Sequence, residues 1–349
     1  MMFFGVTIIQ TNKPAQQKRS TSILISILYL IGLIHWPHNS RGGGRGRPYV
    51  YSPTVILRCF VVRIWFRLDS NRALHEYLAM EIPYNRKVMK ECGLSRVPSR
   101  RTFDRRLATI SNDIKNRITT MGELFVREKI IDPCILSTDS TLIKAKGYVW
   151  HKSSMVKGVV PRSGIDTDAM WGFSHTKGWI FGYKLHLISS TGSIIVPLSA
   201  DFTTANIPDN QIYSILITSL PLAIIRRTSY MSADPGYDDH KLYDLSSSMG
   251  FRLLCPVQRY KNTPVDRIKL VEFYESNVGQ AIYSLRSISI EPLIWHIKSA
   301  FRIDPLPVRG YDRTCASVLL SVLLYQILVY YNCKINKDNP RAIKYMLGT

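Results

Sequence analysis

Hydrophobic side chains in the first third of the chain, after residue 50, recur at the three- and four-residue steps of amphipathic helices. Ser52 and Pro53 are the residue types that begin a helix, which we expect to end near Asp69. A second helix is predicted over Asn71–Met80, and Cys92–Gly93 is a plausible stop for a third. This part of the chain is therefore predicted to be helical.

After residue 133 the pattern changes to the alternation that is typical of strands. The predicted strands are Ile135–Leu142, Phe181–Ser189, Ile194–Leu198, Ser229–Ala233 and Phe251–Val257. The first three are expected to form an antiparallel meander, and helices are expected over residues 208–220 and 239–249. Strands and helices in this order predict an α/β domain with a mixed sheet.

Two strongly apolar stretches raise the question of a membrane. Residues 23–34 follow two basic residues, but about 12 apolar residues are fewer than the roughly 20 that span a bilayer. They also lack a small-residue cleavage site, which favours a packed or dimerising helix over a targeting segment. Residues 316–331 are interrupted by Ser321 and Gln326, which favours a closing core helix over a membrane anchor.

The chain is strongly basic, with 46 Lys and Arg residues against 25 Asp and Glu residues and a net charge of +21. Residues 1–130 alone carry a net charge of +14. This excess predicts a polyanionic partner, either nucleic acid or an acidic membrane surface. The glycine–arginine run at residues 41–48 is expected to be a flexible linker that either follows a phosphate backbone or is simply solvated.

The cysteines and histidines exclude several classes of site. No two of the six cysteines form a CxxC pair, so a zinc ribbon and a thiol redox motif are both excluded. Their scatter through apolar segments is typical of buried thiols in a reducing compartment. The eight histidines also lack the spacing of a zinc site.

A helix after Pro98 carries the strongest signal for nucleic acid. Ser99 can cap it, and Phe103 and Leu107 lie four residues apart on the side expected to face a core. Its basic residues are Arg100, Arg101, Arg105 and Arg106. An arginine-rich helix after short helices is typical of a helix-turn-helix reader of the major groove. The alternative is a helical domain with a solvated basic face.

Three acidic residues are candidates for a metal site. Asp139 and Asp234 come near the ends of two predicted strands, and Glu291 opens the apolar helical stretch 292–301. If the strands are adjacent, the carboxylates converge and need hard cations such as two Mg²⁺ or Mn²⁺ ions. Two such ions can activate a hydroxyl and stabilise a leaving oxygen in phosphodiester chemistry. The alternative is that they are structural or surface acids.

Five motifs in order resemble the DDE transposases of bacterial and archaeal insertion sequences. The motifs are Thr138–Thr141, Gly182–His186, Ala205-Asn206 with Asp209, Ala233–Tyr237, and the cluster Tyr283, Arg286, Glu291 and Lys298. The front end is also similar, through the segments at residues 46–48, 51–53 and 98–103. The resemblance covers about residues 45–330.

The resemblance implies a ribonuclease-H-like catalytic core in which Asp139, Asp234 and Glu291 hold the metal pair. Tyr283, Arg286 and Lys298 then correspond to residues that contact phosphates at the transposon end. Arg286 and Glu291 enclose four residues here, whereas the family usually has three. The resemblance also includes Asn206 and Asp209, which would contact the metal ligands and not the metal itself. Capping of the following helix explains Asp209 equally well.

The predicted function is a transposase that binds terminal inverted repeats in double-stranded DNA and cuts and joins strands. The alternative is a catalytically silent DNA-binding protein, such as a decayed copy or a repressor of transposition. The expected organisation is an apolar segment and basic linker (1–47), a helical DNA-binding domain (48–130), the catalytic domain (131–335) and a tail (336–349). We expect a cytoplasmic, nucleoid-associated protein without a membrane partner, and a homodimer on DNA is reasonable.

Tryptophans follow the first predicted strand at positions 150, 171 and 179. Core packing is the favoured interpretation, and stacking on unpaired bases is the alternative.

Overall fold

The computed structural model describes residues 14–36, 50–174, 176–257 and 264–347, with side chains from residue 21 onward and without the side chain of residue 266. The predicted linker at residues 41–48 lies outside these ranges. The helices before the sheet are α1 (Pro14–Leu33), α2 (Pro53–Trp65), α3 (Asn71–Ala79), α4 (Pro83–Glu91), α5 (Arg100–Leu107) and α6 (Ser111–Arg127).

The predicted starts of α2 and α5 are confirmed by their hydrogen bonds. The hydroxyls of Ser52 and Ser99 accept from the amides of the third residues after them, at 3.3 and 3.2 Å. The predicted end of α2 near Asp69 is wrong by one turn. Arg67 has a left-handed backbone with φ of 52°, which ends the helical hydrogen bonding earlier.

The strands are β1 (Ile135–Lys144), β2 (Met170–Ser174), β3 (Gly178–Ser190), β4 (Pro197–Thr204), β5 (Tyr230–Ser232) and β6 (Arg252–Leu254). Strand β3 pairs antiparallel with β1 and β4, as the predicted meander requires. Strands β5 and β6 continue the sheet from β1 in parallel. Strand β2 also pairs antiparallel with β3, so four strands joined by antiparallel pairing and two parallel strands make the six-stranded mixed sheet of a ribonuclease-H-like core, which confirms the predicted fold class.

The strand bounds differ from the predictions in two ways that affect the site. Strand β1 continues to Lys144, so Asp139 lies in its middle and not near its end. Strand β4 begins at Pro197 and not at residue 194, because the preceding residues form the connection from β3. There the hydroxyl of Ser190 accepts from the Val196 amide at 3.0 Å.

The remaining helices are α7 (Lys152–Val156), α8 (Asp209–Thr218), α9 (Leu222–Ile225), α10 (His240–Ser248), α11 (Val265–Glu275), α12 (Asn277–Phe301) and α13 (Tyr311–Lys334). Helix α12 contacts β1, β3 and β5, whereas α8 contacts β3 and β4. Helix α10 confirms the helix predicted over residues 239–249. Helix α11 and the first half of α12, which were not predicted, also lie between Asp234 and Glu291.

Helix α13 packs in the core. By length and composition it could cross a membrane, but 94% of its most apolar window is buried inside the protein. The buried Gln326 amide donates to the carbonyls of Ile118 and Pro197 at 2.9 and 2.8 Å. Helix α13 also contacts α2, α5, α6 and β4, so the N-terminal helices and the sheet share one hydrophobic core.

Candidate active site

The sheet register places two aspartates side by side. Ser137 of β1 is the parallel partner of Ser232 of β5. Asp139 and Asp234 each lie two residues further along, which is one repeat of strand alternation. Asp139 is inside β1, whereas Asp234 follows the end of β5 and caps the short 3-10 turn Pro235–Tyr237. Because neighbouring strands are about 4.8 Å apart, the two aspartates come close together at this end of β5.

Three serines lie beneath this point and allow a helix to approach. The hydroxyls of Ser137 and Ser232 are 2.8 Å apart. The Ser289 hydroxyl of α12 donates to the Leu285 carbonyl at 2.6 Å and lies 3.4 Å from the Ser137 hydroxyl. These side chains are small and buried, so α12 lies close against the two strands that carry the aspartates.

Arg286 of α12 joins two of the predicted acids. Its Nη2 atom is 2.7 Å from Oδ2 of Asp139, and its Nη1 atom donates to Oε1 of Glu291 at 2.8 Å. The unusual spacing between Arg286 and Glu291 therefore does not remove the guanidinium from the site. Its Nε atom is buried and has no hydrogen-bond partner among the described residues.

Glu291 lies inside a continuous helix, so the prediction that it opens a helix is wrong. Proline is common in a first helical turn because it has no amide hydrogen to donate. In the structure Pro292 is in the interior of α12. It removes the bond that would reach the carbonyl of Ile288, a residue on the exposed side of the helix, where water can bind that carbonyl. The Glu291 side chain is 51% exposed.

The two aspartates are poorly stabilised as anions. Burial raises the pKa of Asp139 to about 6, with Arg286 opposing this shift and Asp234 adding to it. Burial also raises the pKa of Asp234, again opposed by Arg286, while Asp209 adds to the shift. The site therefore has an excess of negative charge that a single guanidinium only partly offsets.

The donor set fits a hard divalent cation, although the described residues do not contain a preassembled site. No group of three or more Asp, Glu, His or Cys residues in the described ranges is close enough to hold a metal. Asp139 and Asp234 supply the carboxylate oxygens that Mg²⁺ and Mn²⁺ prefer. Arg286 bonds both Glu291 and Asp139, so its guanidinium lies between two carboxylates that a bound cation would otherwise neutralise.

Lys298 is held by the protein itself. Its Nζ atom donates to the Leu142 carbonyl at 2.8 Å and to the Thr141 hydroxyl at 3.3 Å, and it lies 2.7 Å from Oδ2 of Asp304. These bonds tie the end of α12 to β1. Tyr283 of the same helix is partly buried, and its ring contacts Tyr274 edge-on at 5.3 Å.

A second buried polar group lies on the opposite face of the sheet. Asp209 is the first residue of α8 and accepts a hydrogen bond from Nζ of Lys184 at 2.9 Å. His186 lies 3.6 Å from Asp209, and burial lowers its pKa to about 4. Asn206 is exposed. Lys184 and His186 were not predicted to belong to a site. They are two polar residues that alternate with apolar ones in β3, and this pattern could have identified them.

The arginines of α5 do not share one surface. Arg100, Arg101 and Arg105 are exposed, and Arg100 lies 3.6 Å from Asp104. Arg106 is only 7% exposed. The prediction that Arg106 belongs to an outward basic face is therefore wrong, because the helix turns it towards the protein together with Phe103 and Leu107.

The mixed sheet carries Asp139 in β1 and Asp234 in the turn after β5, which is the arrangement that the family resemblance predicts for a ribonuclease-H-like core. The family model for the transposase DDE domain matches residues 131–327, which is more than half of the chain. The chain therefore belongs to the DDE transposase family and is a DNA transposase.

Solved structures with similarity to this chain are also transposases. A piggyBac transposase synaptic complex with hairpin DNA has 10% identity and a TM-score of 0.38, covering 96% of this chain and 78% of that one. A Mos1 transposase paired-end complex with the left transposon end has 13% identity and a TM-score of 0.22, covering 90% and 98%. At TM-scores this low, the likeness supports no conclusion about the site. A search of curated proteins finds no match.

Proposed function

We propose that this transposase binds the terminal inverted repeats of its element and cuts and joins DNA at Asp139, Asp234 and Glu291. The observation that carries the proposal is the register of β1 and β5, which aligns Asp139 with Asp234 under α12. Carboxylates buried together in this way are destabilised unless a cation is bound, which is the property a catalytic metal site needs.

The DNA-end contact is proposed for the exposed part of α5. Ser99 caps the helix, Phe103 packs in the core, and Arg101 and Arg105 are exposed. Exposed basic residues on α4 and the following turn extend this surface: Arg86, Lys87, Lys90 and Arg96. Guanidinium and ammonium groups in such an arrangement bind phosphates and, on a helix in the major groove, base edges.

The ligands of the proposed metal site are Asp139, Asp234 and Glu291, with two Mg²⁺ or Mn²⁺ ions. When bound, the ions would activate an attacking hydroxyl and stabilise the leaving oxygen of the phosphodiester. The chain itself contributes two positioned carboxylates and one movable carboxylate. Strand β1 fixes Asp139, the Gly236 amide donates to Asp234 in the turn after β5 at 3.0 Å, and Glu291 is half-exposed. Arg286 is positioned to exchange its carboxylate partners for phosphate oxygens, which a guanidinium binds in the same forked geometry.

The proposed reaction has two steps. Water first attacks the phosphodiester at the element end, which breaks the P–O3′ bond, frees the 3′ hydroxyl of the element and leaves a 5′ phosphate on the flanking strand. This hydroxyl then attacks a phosphodiester of target DNA, so that one P–O bond forms as another breaks. Since two element ends must be joined to one target, we propose a homodimer on DNA, located with the nucleoid in the cytoplasm.

A strand-transfer assay tests this proposal. A labelled duplex that ends in the element's terminal sequence with a free 3′ hydroxyl is incubated with supercoiled plasmid and Mg²⁺. We expect joined products with the natural protein and none with Asp234→Asn, which should still bind the duplex. Duplex binding by the natural protein without joining would overturn the catalytic proposal.

The silent DNA-binding alternative is not favoured. It drew support from the spacing of Arg286 and Glu291, yet both residues reach the same site in the structure. The acids required for chemistry are present and adjacent to it.

A further inference from the structure

The connection from β1 to β3 forms a basic lobe, which we define as residues 145–181 without residue 175. Its positively charged residues are Lys146, Lys152, Lys157, Arg162 and Lys177. Its two acids bind the rest of the protein: Asp166 accepts from the Gly310 amide at 3.1 Å and Asp168 from the Tyr311 amide at 2.9 Å. The lobe therefore presents positive charge to solvent and is complementary to a polyanion.

Two large aromatic side chains are exposed where the lobe ends in the β2–β3 hairpin. Phe173 and Trp179 are direct cross-strand partners, with ring centroids 5.4 Å apart and ring planes at 63°. They are 54% and 58% exposed. Aromatic rings of this size are normally covered in a folded protein, and a pair exposed beside positive charge is typical of a stacking surface for bases.

The other two tryptophans of the lobe have structural roles, so the exposure of Trp179 is specific. The indole N–H of Trp150 donates to the Val159 carbonyl at 2.9 Å, and that of Trp171 donates to the Trp150 carbonyl at 2.8 Å. The favoured interpretation of core packing thus suits Trp150 and Trp171, while Trp179 remains available to a ligand.

Lys152 supplies a charge directly at the exposed ring. Its Nζ atom lies 3.4 Å from the centroid of Trp179. A cation–π contact at an exposed position is weak, so an arriving base can replace the ammonium on the ring. The displaced Lys152 ammonium would then be free to pair with the phosphate of the stacked nucleotide.

The hairpin extends from the face of the sheet that carries the acids. Leu187 of β3 is the direct partner of Asp139, and Trp179 lies eight residues earlier on the same strand. An even separation puts Trp179 on the same face as Leu187, at about 26 Å along the strand. Lys144 is five residues after Asp139 and therefore on the opposite face, so the positive charge beside Trp179 comes from Lys152 of the lobe.

We propose that the basic lobe binds unpaired nucleotides of the DNA strand held at Asp139, with a base stacked on Trp179 and Phe173 and its phosphate on Lys152. This inference rests on the proposed function, because it assumes that DNA lies at the acids. It assigns the lobe a partner different from that of α5, which faces duplex DNA in the proposal above.

The test measures the affinity of the full chain for two DNA forms without divalent metal, so that no cutting occurs. One is a blunt duplex, and the other is the same duplex with a 3′ overhang of about 12 nucleotides, long enough to span about 26 Å. We expect the natural protein to prefer the overhang. Trp179→Ala should lose about tenfold in affinity for the overhang form, as expected for one stacked base, and nothing for the blunt form.

Three further variants separate stacking from folding. Trp179→Phe should retain most of the preference, and Phe173→Ala should weaken it without changing blunt-duplex binding. Trp295→Ala is the matched control, since Trp295 is 65% exposed and Lys344 lies 4.3 Å from its ring centroid, but it is on α12 outside the lobe. This control should bind both forms as the natural protein does.

Equal loss of both DNA forms in Trp179→Ala, or no loss of either, would overturn the inference and leave the proposed function intact. A natural protein that binds neither form would overturn the proposed function as well. The two failures are therefore distinguishable in one experiment.

Discussion

Arg286 balances the charge of the candidate site, because one guanidinium lies between the carboxylates of Asp139 and Glu291. We expect Arg286→Gln to lower the free energy of unfolding by about 3 kcal/mol in the absence of metal, since it leaves a buried carboxylate unpaired. Mg²⁺ should restore part of this loss, because a cation can then replace the missing charge. Urea unfolding with and without Mg²⁺ measures both effects.

Arg267 offers a control for this prediction, since its side chain forms a similarly buried ion pair with Asp238, which is not one of the three acids. Arg267→Gln should also destabilise the protein, but added Mg²⁺ should not restore its stability. If Arg286→Gln responds to Mg²⁺ no more than Arg267→Gln does, the acids do not form a metal site.

His186 predicts a pH dependence of stability. Burial lowers its pKa from 6.5 to about 4 in the folded protein. Between these values the unfolded chain binds more protons than the folded one, so stability is lost as the pH falls below 6.5. The loss between pH 7 and pH 5 should be about 2 kcal/mol from this group alone. Urea unfolding of His186→Gln should show that much less pH dependence, whereas the exposed His240→Gln should behave as the natural protein.

Single residues were predictable from the sequence where their chemistry is distinctive. Acids at strand positions and arginines on a helix identify themselves by type and spacing. The serines Ser137, Ser232 and Ser289 do not, because their importance lies in being small where α12 meets the strands. Only the paired register and the helix position reveal that role.

At the scale of elements, Lys298 holds α12 to β1, so we expect substitution of Lys298 to affect stability. Lys298→Met should lower the free energy of unfolding by about 2 kcal/mol, because it leaves the partly buried Asp304 carboxylate unpaired. Lys334→Met removes a more exposed pair with Glu128 and should change stability by less than about 1 kcal/mol. Unchanged stability of Lys298→Met together with weaker DNA binding would instead support the phosphate contact that the family resemblance implies.

The exposed side of α5 predicts a specific response to salt. Arg101→Ala and Arg105→Ala should each lower DNA affinity and reduce the slope of log affinity against log salt by about one, since each removes one phosphate contact. Arg106→Ala should lower stability and leave that slope unchanged, because its side chain is buried. Equal slopes for all three variants would exclude α5 as the DNA contact.

Elements were predictable where local pattern and long-range packing agree. The capped starts of α2 and α5 and the meander of β1, β3 and β4 follow from residue type and alternation. Strand β2 was not predicted, because five residues with one glycine give too little alternation, and it forms by pairing with β3. Helix α12 passes through Pro292, which local rules interpret as a start, because its packing against three strands outweighs one lost hydrogen bond.

The basic N-terminal helices and the sheet that carries the acidic site share one hydrophobic core. Helix α13 contacts both the N-terminal helices and the sheet, so the surface of α5 is fixed relative to Asp139 and Asp234. The net charge of +21 can attract DNA, while the buried acids need cations before they accept a phosphate. We therefore expect DNA binding and metal binding to be separable, so that a variant in one should retain the other.

The measurement that tests this account most directly is cleavage of a linear duplex that contains the DNA flanking the gene, by the natural protein and by Asp139→Asn. We expect nicks at inverted-repeat ends with Mg²⁺ and none with Ca²⁺. We also expect Asp139→Asn to retard the same duplex without cutting it. Nicks that persist in Asp139→Asn, or a natural protein that retards the duplex and leaves it uncut with Mg²⁺, would contradict the assignment of the acids as the catalytic site.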